Sequence, residues 1–131
     1  MATTDMVIEL DNDEPGALAK VAGALSDAGV NIAAATALGS GQKAELHVLV
    51  PHPEAVRHAL AVVHSVSITR ERQVAVVQCQ DRPGELAELA GKIAAAGVNL
   101  DLVYVATGSR VVFGSDDLDG LKAALADTDL I

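Results

Sequence analysis

Asp13-Glu14-Pro15-Gly16-Ala17-Leu18-Ala19, running out at Ala28-Gly29-Val30-Asn31-Ile32, is written twice in this chain. The second writing is Asp81-Arg82-Pro83-Gly84-Glu85-Leu86-Ala87, which runs out at Ala96-Gly97-Val98-Asn99-Leu100. Pro15 maps to Pro83 and Asn31 to Asn99, with the same offset of 68 residues. Eleven of the 20 paired positions from Asp13 to Ile32 are identical. A repeat of this kind means that one structural unit is built twice.

Each copy is expected to begin with a strand. Met6, Ile8 and Leu10 alternate with Val7 and Glu9, the period of a half-buried strand. Pro15 and Pro83 are placed for the first turn of a helix, where no N–H partner is needed. Leu18, Val21, Ala22 and Leu25 form one apolar stripe, as do Leu86, Leu89, Ala90 and Ile93. Gly29 and Gly97 read as left-handed caps that end these helices.

The first copy continues with a strand of small residues from Asn31 to Leu38, a Gly39-Ser40-Gly41 turn and a strand from Ala44 to Val50. A helix over about Glu54–Val63 and a strand over Ser65–Thr69 complete it. The polar run Arg70-Glu71-Arg72-Gln73 marks the boundary. The second copy repeats the order: strand Val74–Gln80, helix Pro83–Ala96, strand Leu100–Ala106, strand Val111–Gly114 and helix Leu118–Ala126. Thr128 to Ile131 leaves room for a final strand that is short or absent. Gln78 falls where the first copy has the core residue Leu10, which ends the strand early.

The pattern is α+β: two tandem ferredoxin-like βαββαβ units, residues 1–72 and 73–131, each an antiparallel sheet with both helices on one face. The segment holding Val103 and Val105 is apolar on both faces, a sign that it meets another domain.

Composition narrows the function. The net charge is −9 and there is no Trp, one Tyr and one Phe. Nucleic acid is therefore not an expected partner: clustered cations and aromatic platforms are both missing. Lys20, Asp27, Asn31, Glu88, Lys92 and Asp101 interrupt every long apolar run, so no membrane span is expected. The N-terminus lacks a basic segment followed by an apolar one, so no signal peptide is expected. One cysteine cannot form an internal disulfide, which fits a reducing cytoplasm.

Asp-X-Pro-Gly-X-Leu-Ala followed by Ala-Gly-Val-Asn-Ile/Leu resembles the ACT domain, a small-molecule-sensing regulatory module, here as two copies in register. The resemblance implies side-by-side pairing through Asn31–Leu38 and Leu100–Ala106, giving one eight-stranded antiparallel sheet with four helices on one face. It also implies an amino-acid ligand in the seam between domains. Carried over from serine-sensing members, one site is Asp11 and Asp13 with Asn99, and the other is Cys79 and Asp81 with Asn31. Those members have a His where this chain has Asp11 and Cys79. An acidic side chain could hold the ligand ammonium. Backbone N–H groups near Gly16 or Gly84, at a helix N-terminus, could hold its carboxylate.

Plainer roles stand beside these. Asp13 and Asp81 also read as helix caps, and Gly16, Gly84, Asn31 and Asn99 as residues of backbone geometry. Cys79 reads as an inert thiol. His47, His52, His58 and His64 have no zinc-ligand spacing, so neither metal nor cofactor is expected. No nucleophile–base pair is recognisable, so the chain is not expected to be an enzyme. The expected function is a cytoplasmic, non-catalytic sensor that binds an amino acid or similar ligand and acts as a homodimer. The alternative is a ligand-free interaction module acting on a metabolic enzyme or regulator.

Overall fold

A computed structural model describes residues 1–11 and 15–131. The chain divides into two compact units, one of Ala2–Arg72 and the other of Gln73–Ile131 with Met1. In the first unit the elements are β1 (Thr4–Asp11), α1 (Ala17–Asp27), β2 (Ala34–Ser40), β3 (Lys43–Val50), α2 (Pro53–Leu60) and β4 (Val66–Gln73). The second has β5 (Ala75–Gln78), α3 (Glu85–Ala95), β6 (Leu102–Ala106), β7 (Arg110–Gly114) and α4 (Leu118–Ala124).

The first sheet has the order β2-β3-β1-β4 and the second β5-β7-β6. The ladders of β1 with β3, β2 with β3, β5 with β7 and β6 with β7 are antiparallel. Thus the described strands number seven, in a four-stranded and a three-stranded sheet, where eight in a single sheet were expected. Among the described residues the eighth strand is reduced to one bridge, Val77 with Leu130.

In each unit both helices cover one sheet face. Val21 and Leu25 of α1 and Val56 and Leu60 of α2 meet Met6, Ile8 and Leu10 of β1 and Leu46, Val48 and Val50 of β3. The second core copies this with Leu89, Ile93, Leu121 and Leu125 over Ala75, Val77, Val111 and Phe113. The apolar stripes read from the sequence are these buried faces, although Leu18 and Leu86 remain exposed. Two buried large side chains per helix contribute about 3–6 kcal/mol of transfer free energy.

The two first helices end alike. The N–H of Val30 donates to Leu25 O at 2.9 Å and that of Gly29 to Ser26 O at 3.0 Å. Val98 with Ile93 and Gly97 with Ala94 repeat the pair at 3.2 and 2.9 Å. These are the two bonds that close a helix through a left-handed glycine.

Several expected boundaries move. Pro15 and Pro83 do not stand in the first helical turn. They precede it, and the cap residues are Gly16 and Gly84, with φ of 104° and 90° and no side-chain cap bond. Asp81 therefore does not cap α3; it sits in the turn with φ 55°. Asp13 lies outside the described residues. The polar run Arg70–Gln73 belongs to β4, and the division between the two units falls within it. Gln78 is the last, exposed residue of β5, and its side-chain amide donates to Gly108 O at 2.7 Å. It braces the β6–β7 turn, which is why a core residue is not needed there. Val103 faces Phe113 and Val105 faces Val111 across the ladder, so both lie on the helix-covered side of the sheet. On the edge strand they are nevertheless 44% and 67% exposed.

Both faces of β1 carry buried residues, and Asp5 is completely buried. Asp5 Oδ2 lies 2.9 Å from Nδ1 of His47, its neighbour on β3. Removing one partner of a buried hydrogen bond costs the desolvation of the other. Asp5→Ala is expected to lower the unfolding free energy by about 1–3 kcal/mol, read from urea titration. A loss below about 1 kcal/mol would mean that the pair behaves like a surface contact.

Candidate functional site

In the first unit the end of β1, the start of α1 and the start of β4 converge. The N–H of Asp11 donates to Ser65 O at 3.1 Å, and Thr69 Oγ1 donates to Val7 O at 3.4 Å. The two strands therefore run in opposite directions, and Ser65 is brought to the end of β1. A cleft of about 220 Å³ opens there, lined by Asp11, Pro15, Ala17, Lys20, His64, Ser65 and Val66. It holds a carboxylate, an ammonium, an imidazole and a hydroxyl beside apolar surface. Lys20 has no ion-pair partner among the described residues. A zwitterion of amino-acid size finds a group of opposite charge for each of its ends in this cleft.

The second unit has its cleft at the matching place, of about 230 Å³, lined by Cys79, Gln80, Arg82, Glu85, Glu88, Lys92, Asp127 and Asp129 among others. Four of its charges are engaged with one another. Glu85 Oε2 accepts from the N–H of Gln80 at 2.8 Å and of Arg82 at 3.3 Å. The Arg82 guanidinium lies 3.6 Å from Glu85 Oε1. Lys92 Nζ donates to Asp127 Oδ2 at 2.8 Å. That bond holds Lys92 above and Asp127 below their usual pKa values. Burial, then the nearby Glu85 and Asp129, push the Cys79 thiol up. A thiol held in its neutral form is a poor nucleophile.

Of the residues assigned from the sequence, Asp11 lines the first cleft and Cys79 the second. Gly16 and Gly84 form the left-handed steps into the helices beside them. Asp81 stands in the turn of the second cleft with an exposed side chain. Asn31 and Asn99 follow the far ends of α1 and α3, about 16 Å of helix away from their own unit's cleft. Both are exposed, and the carbonyl of Asn99 accepts from Ser115 Oγ at 2.7 Å. Neither asparagine lines the cleft of its own unit. Lys20, His64 and Ser65 were not foreseen. The repeat held one signal for them, since Lys20 pairs with Glu88 and so reverses charge between the copies. Among the described residues no group of three or more His, Cys, Asp and Glu is placed to hold a metal.

The ACT domain family model matches residues 6–67. Residues 6–67 are an ACT domain. Protein BT0572 from Bacteroides thetaiotaomicron is similar over 100% of this chain and 92% of its own, at 27% identity and a TM-score of 0.84. The ligand-free regulatory subunit of aspartate kinase from Thermus thermophilus shares the fold, with 17% identity, a TM-score of 0.71, and 96% and 92% of the two chains covered. The regulatory subunit from Thermus flavus does so at 16% identity and a TM-score of 0.65, over 96% and 92%. No curated protein matches the sequence. No helix among the described residues is long and apolar enough to cross a membrane.

Burial would raise the Glu85 pKa, but the N–H groups of Gln80 and Arg82 and the Arg82 guanidinium outweigh it and hold the carboxyl below its usual value. A carboxyl held low in the folded state stabilises the fold at neutral pH and loses that contribution as acid protonates it. Glu85→Gln is therefore expected to melt lower than wild type at pH 7, with the gap closing by about pH 3, below the usual carboxylate range. An equal gap at both pH values would show that the charge of Glu85 is not what matters.

Proposed function

We propose that this chain is a non-catalytic, cytoplasmic sensor made of two tandem ACT domains, residues 1–72 and 73–131, which binds an amino acid or a close analogue. The observation that carries it is the first cleft, where Asp11 and Lys20 offer opposite charges beside the start of α1. Asp11 takes the ligand ammonium. Lys20 and the positive end of α1 take the carboxylate. His64 and Ser65 meet whatever polar group the ligand carries on its side chain. The similarity to aspartate kinase regulatory subunits supports the fold of such a sensor and leaves the ligand open.

The signal passes to a partner enzyme or regulator through a homodimer. Two features support the dimer. β2 and β6 stand at the edges of their sheets, where unpaired backbone groups invite a further strand. Val103 and Val105 are exposed on β6. Pairing there joins the sheets of two copies edge to edge. A single charge on that edge opposes pairing, so Val105→Lys is expected to shift the protein from dimer to monomer in sedimentation velocity. A wild-type monomer, or a variant that stays dimeric, would rule out this edge.

Ligand binding is read by thermal melting against amino acids. A ligand at 100 times its Kd adds about 2.7 kcal/mol to the folded state, on the order of 5–15 °C for units of this size. Lys20→Ala and Asp11→Asn are each expected to reduce the shift, by a loss of about 1.5–3 kcal/mol of charge-assisted bonding. No shift with any amino acid at millimolar concentration would favour the interaction module without ligand.

A further inference from the structure

The two copies share their turn but not the residue that follows it. In the second copy Glu85, directly after Gly84, sends its carboxylate back into the turn. There it accepts from two backbone N–H groups, those of Gln80 and Arg82, and faces the Arg82 guanidinium. The side chain is only 17% exposed. Two convergent N–H donors with a cation beside them are the arrangement that holds a free carboxylate. In the first copy the same position is Ala17, whose methyl group has no acceptor, and it lines the open cleft together with Lys20. At the position of Lys20 the second copy has Glu88, which repels an incoming anion. The two cations that line the second cleft, Arg82 and Lys92, are already paired with Glu85 and Asp127.

We infer that Glu85 is a built-in ligand mimic: its carboxylate fills the acceptor position of the second turn and shuts that turn to a carboxylate-bearing ligand, whereas the first copy has Ala17 at the position of Glu85. This rests on the sensor proposed above for the first copy. For the second copy it stands on the Glu85 contacts alone.

Acetate is the probe, followed by amide NMR on the full chain. In wild type, acetate is expected to shift the amides of Asp11 and Gly16 and to leave those of Gln80 and Arg82 unmoved. In Glu85→Ala the Gln80 and Arg82 amides are expected to respond, with shifts several-fold larger than in wild type. Glu85→Gln, which keeps the shape and loses the charge, serves if the alanine variant does not fold. It should respond in the same sense, more weakly. Ala17→Glu is expected to abolish the response at Asp11 and Gly16, and with it any melting shift given by an amino acid. Silent Gln80 and Arg82 amides in both Glu85 variants, or an equal response in wild type, would overturn the inference. A panel of amino acids that gives no melting shift removes the sensor instead, and leaves the Gln80 and Arg82 result standing.

Discussion

A strand end must become a helix start within a few residues, at an angle that lays the helix on the sheet. In both units a left-handed glycine makes this possible, Gly16 with φ 104° and Gly84 with φ 90°. A side chain in that conformation costs about 1–2 kcal/mol. A Cβ added at either glycine would meet nothing within 4 Å, so the cost is in the backbone and not in a clash. The step sets the direction of α1 and α3. Direction decides which residues of each helix meet the sheet, and with them Val21 and Leu25, or Leu89 and Ile93, at the centre of each core. The same step leaves the end of the preceding strand beside the start of the helix, where both clefts lie.

Much of this was legible in local pattern. The apolar stripes and the glycine stops at Gly29 and Gly97 are short-range features. The cap of α4 is equally local: Asp117 accepts from Gly120 N at 2.9 Å. Other features depended on distant partners. Gln78 made no sense as a strand residue until the carbonyl of Gly108 stood beside it. The helix starts were misplaced because Pro-Gly fits both a first helical turn and the step before one, and only the positive φ of the glycine separates the two.

The clefts were half legible. Asp11 and Cys79 follow from the ACT resemblance, which singles out the position four residues before each proline. His64 and Ser65 could not be found that way. They reach the first cleft only because β4 returns alongside β1, a pairing between residues some fifty positions apart in sequence. Lys20 was hidden for another reason. On a helix it reads as an ordinary solvated cation, and only the cleft beside it gives it a role.

The divergence between the copies is not spread evenly. At the helix positions facing each core the repeat exchanges one apolar residue for another: Val21 for Leu89 and Leu25 for Ile93. Around the clefts it exchanges alanine for a carboxylate and lysine for glutamate, at Ala17 and Glu85 and at Lys20 and Glu88. In the second cleft Glu85 is bound to two N–H groups and Lys92 to Asp127. A tethered group competes at an effective concentration on the order of millimolar. A free carboxylate must exceed that concentration, weighted by its own affinity, before it displaces Glu85. Ala17, at the same position of the first copy, brings no such group.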